Sequence, residues 1–160
     1  MAITVRPATP GDLPTLGRLG ALLVRAHHDY DPKRFFPASP QTERGYASFL
    51  GSQLESPNVA VIVAEDNGET IGYVYAGVEG IDYMSLRGPA GVLYDIVVDP
   101  ARRSHGIGRM LLEAALAFLK ARGAPRAVLS TATQNSAAQH LFESAGFRRT
   151  MVEMTAELIE

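Results

Sequence analysis

The sequence contains no cysteine and no tryptophan, and its net charge is only −2 at pH 7. The lack of cysteine excludes disulfides, thiolate metal sites and cysteine nucleophiles. The weak net charge gives no electrostatic reason to expect a nucleic-acid partner. No apolar run reaches the roughly 18 residues that a membrane span needs, and the start lacks a signal-peptide core. We therefore expect a cytoplasmic protein without a membrane segment.

The amino-acid composition is typical of a globular protein. The chain has 160 residues, of which 46% are hydrophobic, and this is enough for one sizeable core. No repeat, low-complexity tract or linker interrupts it, so a single domain over residues 1–160 is predicted.

Residues 93–112 are the most informative stretch. Leu93–Val98 is mostly apolar and β-branched, which is typical of a central strand. Asp99-Pro100 ends that strand, because proline cannot donate to a sheet ladder. Apolar residues then repeat at helical spacing, which predicts a helix from about Gly106 to Ala121.

The turn before this helix has the features of an anion site. Gly106 and Gly108 have no Cβ, so a ligand can approach the backbone closely. The first amides of a helix lack internal acceptors and lie at the positive end of its dipole. The basic side chains near these amides are Arg102, Arg103, His105 and Arg109. The pattern therefore predicts a phosphate or pyrophosphate site.

The glycine spacing excludes two well-known phosphate motifs. The dinucleotide fingerprint requires a third glycine where this chain has Leu111. The P-loop requires Lys and Ser or Thr after its last glycine, and Arg109-Met110 follows Gly108. Binding of NAD or ATP is therefore disfavoured.

The order of predicted elements gives a fold class. Two helices follow a first strand, and three further strands lead to helix 106–121; a strand, a helix and a final strand complete the chain. The predicted strands are 3–6, 59–65, 70–78, 93–98, 127–133 and 147–158, and the predicted earlier helices begin near Thr9 and Ser39. The hairpin at 66–69 and the late βα units indicate a mixed, mostly antiparallel sheet flanked by helices, an α/β fold.

These motifs resemble those of the GCN5-related N-acetyltransferase (GNAT) superfamily. Arg103-Ser-His-Gly-Ile-Gly108 is similar to that family's acetyl-coenzyme A signature, Arg/Gln-x-x-Gly-x-Gly/Ala, and Ile96-Val-Val-Asp-Pro100 is similar to the strand before it. Residues 135–147 resemble the second signature, in which an asparagine and the following helix flank the pantetheine arm. The element order also matches the GNAT fold over nearly the whole chain.

The resemblance implies a set of coenzyme-binding residues. Backbone groups of Ile96, Val97 and Val98 would contact the pantetheine. The pyrophosphate would be held by Arg103, Ser104, His105, Gly106, Ile107, Gly108 and Arg109. Asn135 and Phe142 would lie on the pantetheine side.

The chain departs from the family pattern in two places. Phe142 stands where many members have a tyrosine that is thought to protonate the leaving thiolate. The short segment after Gly146 leaves room for one strand or a very tight pair. The acceptor site is then more open, or is completed by a second subunit, which leaves a homodimer through the terminal strand as an option.

Two neighbouring residues are the catalytic candidates. Asp95 is a candidate general base, against the alternative of a structural hydrogen bond, and Tyr94 is a candidate thiolate acid, against the alternative of a packed aromatic. Alternation along a strand places them on opposite faces, so only one is expected to face the acceptor. His27 and His28 are interpreted as helix-end histidines, and no metal is expected.

The resemblance therefore implies an N-acetyltransferase that uses acetyl-coenzyme A as donor and an amine as acceptor by direct attack in a ternary complex. The alternative is a module that binds acyl-coenzyme A as a sensor without turnover, which Phe142 motivates. Polyamines, aminoglycosides, amino acids, protein N-termini and lysine side chains all stay open as acceptors.

Overall fold

Strands follow chain order across a single mixed sheet in the computed structural model, which describes residues 2–159. In chain order the elements are β1 (Ile3–Pro7), α1 (Leu13–Tyr30), α2 (Thr42–Gln53), β2 (Val59–Asp66), β3 (Glu69–Glu79), β4 (Ala90–Val98), α3 (Ile107–Ala121), β5 (Ala127–Val128) and α4 (Ser136–Ser144). Strands β1 to β4 are antiparallel neighbours, and β5 runs parallel to β4. Helix α3 makes the crossover that a parallel pair requires. The predicted mixed, mostly antiparallel α/β fold is confirmed.

The two faces of the sheet have separate cores. Helices α3 and α4 cover one face, where Val74 and Leu93 pack against Leu111 and Phe142. Helices α1 and α2 cover the other face, where Leu16, Leu19 and Leu50 pack against Tyr73, Tyr75 and Val97. Burial of these apolar side chains stabilises both layers.

Helix α2 lies unusually close to α1. A Cβ on Gly20 would lie 2.4 Å from the ring of Tyr46, so only glycine permits this approach. The close packing places Tyr46 beside the C-terminal half of α1. Helix α1 ends later than the helix-end interpretation of His27 and His28 implies, since it continues to Tyr30.

Two predicted strands are wrong in extent or in kind. The strand predicted over 127–133 forms only at Ala127–Val128, because the chain then separates from β4. Residues 147–159 form no strand, although 147–158 alternates as a strand would, and Val152, Met154 and Leu158 are exposed. A strand needs a neighbour to accept and donate its backbone hydrogen bonds, and β5 stops at Val128.

A buried carboxylate ties the start of the chain to the sheet. Asp12 accepts hydrogen bonds from Arg6 at 2.8 and 3.0 Å, from Thr70 Oγ1 at 2.8 Å and from the Thr9 amide at 2.8 Å. The Arg6 guanidinium holds the pKa of Asp12 well below its usual range. Thr9 and Asp12 form the predicted capping box.

We expect Asp12→Asn to destabilise the fold by about 2 kcal/mol, because the half-buried Arg6 guanidinium loses its buried carboxylate partner. A depressed pKa means that this stability is present above the usual aspartate pKa and is lost as the pH falls below it. Urea unfolding of both proteins at pH 7 and at pH 3 measures this difference. A constant difference between the two pH values would contradict the prediction.

Candidate active site

The strands β4 and β5 separate after a very short paired region. Only two residue pairs are in register, Gly91 with Ala127 and Val92 with Val128. Beyond Val92 and Val128 the two segments of the chain diverge. A cleft of about 130 Å³ lies in the opening. We call it the reaction cleft, and its lining residues are Leu23, His27, Leu93, Tyr94, Asp95, Ile96, Leu129, Ser130, Thr131, Asn135, Ala138 and Phe142.

A β-bulge in β4 changes which side chains face this cleft. Tyr75 on β3 pairs with Asp95, and the next residue, Ala76, pairs with Leu93, so Tyr94 is the extra residue. The Tyr94 ring packs on Tyr75 with centroids 4.6 Å apart, and Asp95 contacts Tyr73. Both side chains therefore lie on the α1/α2 face. The prediction that Tyr94 and Asp95 point to opposite faces is wrong, because the bulge breaks the alternation.

Asp95 is the largely buried carboxyl group of the reaction cleft. The hydroxyl of Tyr73 donates to its Oδ2 at 3.2 Å. Burial raises the pKa of Asp95, and this effect exceeds the lowering by the Tyr73 hydrogen bond and by His27. A carboxyl group with a raised pKa is a better proton acceptor than an exposed one.

Tyr94 lines the same cleft, but its hydroxyl is engaged. It donates to Glu79 Oε2, and Glu79 also pairs with Arg87 at 2.9 Å. Burial and the Glu79 hydrogen bond raise the pKa of Tyr94. The phenol therefore keeps its proton at neutral pH.

The N-terminus of α3 has the predicted open amides. Gly106 precedes the helix with a φ of 76°, and no side chain caps the first turn. The first intrahelical bond runs from the Met110 amide to the Gly106 carbonyl at 3.1 Å. The preceding amides, of Ile107, Gly108 and Arg109, are those that a helix start leaves for an anion.

The basic residues around this turn divide into two groups. Arg102 is structural, because its guanidinium pairs with Asp66 at 2.6 Å and with Glu69 at 3.1 Å. Arg109 contacts Ser144 and Glu113 along the α3–α4 surface. Arg103, Ser104 and His105 are exposed at the turn, and Ser104 has a left-handed φ of 69°. The exposed residues are the ones that could reach a phosphate.

Helix α4 forms the far wall of the reaction cleft. The Asn135 side-chain oxygen accepts from the Ala138 amide at 3.2 Å and caps the helix, as predicted. Phe142 is buried and packs beside Phe147. A Cβ on Gly108 would meet Leu141 at 3.3 Å, so this glycine lets α3 and α4 pack closely.

His27 is a cleft residue that the sequence reasoning missed. Its Nδ1 lies 2.8 Å from the Leu23 carbonyl oxygen, which can only accept, so Nδ1 donates and Nε2 has the free lone pair. His27 lies four residues after Leu23, on the same stripe of α1, and both line the reaction cleft. That spacing is the signal in the sequence that could have identified it.

His27 also lines a second cavity of about 200 Å³ beneath α1 and the loop after it. We call it the apolar cavity, and its lining residues are Leu23, Val24, His27, Arg34, Phe35, Phe36 and Tyr46. The two cavities share Leu23 and His27.

Residues 2–159 lack two further classes of feature. No group of three or more His, Asp or Glu side chains in this part of the chain is placed to hold a metal ion. None of the helices there combines the length and the apolar character that crossing a membrane requires.

The site thus combines two strands that separate with a helix start whose amides are open. A model described as the acetyltransferase (GNAT) family matches residues 23–147. The chain therefore belongs to the acetyltransferase (GNAT) family.

Known proteins are similar to this chain in sequence or in fold. A mycothiol acetyltransferase of Thermobispora bispora is 40% identical over 96 residues, which are 58% of this chain and 31% of that protein. The chain thus spans about a third of the length of such relatives. A mutant of the Bacillus halodurans protein BH1408 has a TM-score of 0.83 at 23% identity, covering 98% of this chain and 99% of that one. A Clostridium acetobutylicum structure, titled a predicted acetyltransferase with acetyl-CoA, has a TM-score of 0.70 at 17% identity, with 98% and 97% covered.

Proposed function

We propose that this chain transfers the acetyl group of acetyl-coenzyme A to the nitrogen of a primary amine, by direct attack while both substrates are bound. The observation that supports this most is Asp95, a largely buried carboxyl group that lines the reaction cleft. An amine that enters there must lose a proton before it attacks, because alkyl ammonium groups have a pKa near 10.

The residues available for the coenzyme agree with the expected set. The β5-facing edge of β4 has no paired strand beyond Val92 within the described residues, so backbone groups of Ile96, Val97 and Val98 are accessible to a pantetheine amide chain. The amides at the start of α3 and the exposed Arg103, Ser104 and His105 suit a pyrophosphate. When bound, the coenzyme supplies an activated acetyl thioester.

The side chains of this protein would then handle protons and charge. Asp95 accepts the proton of the amine, directly or through water, and the Tyr73 hydroxyl holds its carboxylate in position. His27 Nε2 is a second group that can accept a proton in the same cleft. A backbone amide of β4 polarises the acetyl carbonyl.

The thiolate that leaves must also be protonated, and Phe142 has no proton to give. Tyr94 is the phenol that lines the reaction cleft, so we assign this role to it, with its hydroxyl turning from Glu79 to the thiolate. We expect Tyr94→Phe to lower kcat at least tenfold, within the range that a positioned acid contributes. Tyr83→Phe, on the exposed loop after β3, is the control. Unchanged turnover in Tyr94→Phe would mean that water protonates the thiolate.

Release of the coenzyme thiol tests the proposed function directly. Because the chain has no cysteine, a thiol reagent detects only the product. Amine-dependent release with stoichiometric N-acetyl product by mass spectrometry is the expected result. Coenzyme binding by calorimetry without release, across all amine pools, would instead indicate the sensor function.

A further inference from the structure

The apolar cavity indicates what kind of amine the protein accepts, and this inference rests on the proposed acetyl transfer. Aliphatic and aromatic side chains form most of its wall: Leu23, Val24, Phe35, Phe36 and Tyr46. Its volume is about 200 Å³. Apolar cavities of roughly 150 Å³ bind a benzene ring, so an aryl or branched alkyl group fits here.

The apolar cavity adjoins the proposed proton acceptor. Leu23 and His27 belong to both walls, and Asp95 lies on the reaction-cleft side of them. Burial, together with the Asp95 charge, raises the pKa of Tyr46 to about 12. An amine beside Asp95 can therefore extend its substituent into the cavity.

The charges of the two walls do not suit a polycation. Of the residues that line the two cavities, Asp95 is the one acid. The apolar cavity has a single guanidinium, that of Arg34, which pairs with Glu153 of the C-terminal segment. A second or third ammonium group would therefore lose water without gaining a carboxylate partner.

From these observations we infer that the acceptor is a primary amine with a single positive charge and one aromatic or branched apolar substituent. The amine lies beside Asp95, and the substituent fills the apolar cavity against Phe36 and Tyr46. Specificity then comes from apolar burial, and the ammonium requires only one carboxylate.

Matched amines test this inference. We would measure thiol release with 2-phenylethylamine, with ethylamine, which lacks only the phenyl group, and with 1,4-diaminobutane. Burial of a phenyl-sized group contributes about 1.5–3 kcal/mol, so kcat/KM for 2-phenylethylamine should exceed that for ethylamine by at least tenfold. The diamine should be no better than ethylamine.

A cavity variant and a matched control sharpen the test. Phe36 lines the cavity and is 72% exposed, so its truncation leaves the core intact. We expect Phe36→Ala to lower kcat/KM for 2-phenylethylamine roughly fivefold to tenfold, through KM, and to lower kcat/KM for ethylamine much less. Phe36→Leu should restore most of the loss. Phe118→Ala, the same truncation on α3 and outside both cavities, should leave the ratio of the two amines unchanged.

The outcomes separate this inference from the proposed function. If the diamine is preferred, or if the aryl amine and ethylamine react equally, the acceptor class is wrong while amine acetylation stands. If no amine releases thiol, the proposed transfer fails. Calorimetry with the coenzyme-loaded protein then tests whether the apolar cavity binds the substituent of an amine. Tighter binding of 2-phenylethylamine than of ethylamine would support an apolar amine site, and equal binding would overturn it.

Discussion

Asp95→Asn should lower kcat by about 10²- to 10³-fold and, at the same time, raise the melting temperature of the protein. The loss follows because an amide cannot accept the amine proton, and general-base catalysis contributes on this scale. The gain follows because the wild-type carboxylate is buried without a cation bonded to it, and its one side-chain donor within the described residues is the Tyr73 hydroxyl. An asparagine oxygen can accept the same hydrogen bond without a charge.

The pH dependence gives a second signature of the same residue. Burial raises the pKa of Asp95 above that of the unfolded chain. Stability from this group is therefore fully present below the usual aspartate pKa and is lost as the pH rises through the raised value. We expect the melting temperature of Asp95→Asn to exceed that of the wild type at pH 7 and to approach it at pH 4.

Activity should rise with pH over the range in which the stability from Asp95 falls, because catalysis needs the ionised carboxylate. The wild-type kcat should fall on the acid side at a higher pH than an ordinary aspartate would give. Tyr73→Phe is the informative control, since it keeps the base and removes the hydroxyl that stabilises its charge. That variant should remain active, with its acid limb shifted to higher pH. An unchanged pH dependence of kcat in both variants would exclude Asp95 as the general base. His27 would then be the candidate for that role.

The elements proposed to bind the coenzyme could be predicted from the sequence, because each depends on local residue chemistry. Proline after Asp99 ends a strand, and a glycine with positive φ begins a helix whichever partners surround it. The N-cap at Asn135 and the capping box at Thr9 follow equally short rules. Each of these features needs only a few neighbouring residues.

The acceptor side could not be predicted in the same way, because it depends on long-range register. Leu93–Val98 has the pattern of an uninterrupted strand, and only its pairing with Tyr75 and Ala76 of β3 creates the bulge that turns Tyr94 and Asp95 to one face. His27 reaches the cleft because α1 continues to Tyr30. The loop after α1 then folds back, with His28 Nδ1 donating to the Phe35 carbonyl at 2.8 Å.

The terminal segment shows the limit of periodicity as a signal. Alternation of apolar and polar residues over 147–158 satisfies the pattern of a half-exposed strand, yet within the described residues this segment pairs with no strand. Arg34 and Glu153 instead bring part of it near the apolar cavity. Pattern alone therefore identifies a segment that can pair, and tertiary structure decides whether it does.

Gly106→Asp should abolish coenzyme binding while the fold is retained, which makes it the sharpest test of the donor site. A Cβ at Gly106 would meet nothing within 4 Å, and its φ of 76° is a conformation that aspartate and asparagine tolerate better than other side chains. The new carboxylate would lie beside the open amides of α3, where a pyrophosphate is expected to bind. Like charges placed together in a binding site cost several kcal/mol, so the Kd for coenzyme A should rise by about 100-fold or more.

Gly106→Asn is the matched control, because it has the same shape and the same backbone preference without the charge. We expect this variant to bind coenzyme A more weakly than wild type by calorimetry, because its side chain narrows the approach to the backbone, but clearly more tightly than Gly106→Asp. Both variants should melt somewhat below wild type, and to the same extent, because the positive φ strains any side chain. The difference between the two Kd values should shrink as salt is added, since added ions screen exposed charges. Equal weakening by Asp and Asn would mean that bulk or backbone at the turn matters and that the anion lies elsewhere. Unimpaired binding in both would remove the α3 N-terminus from the donor site.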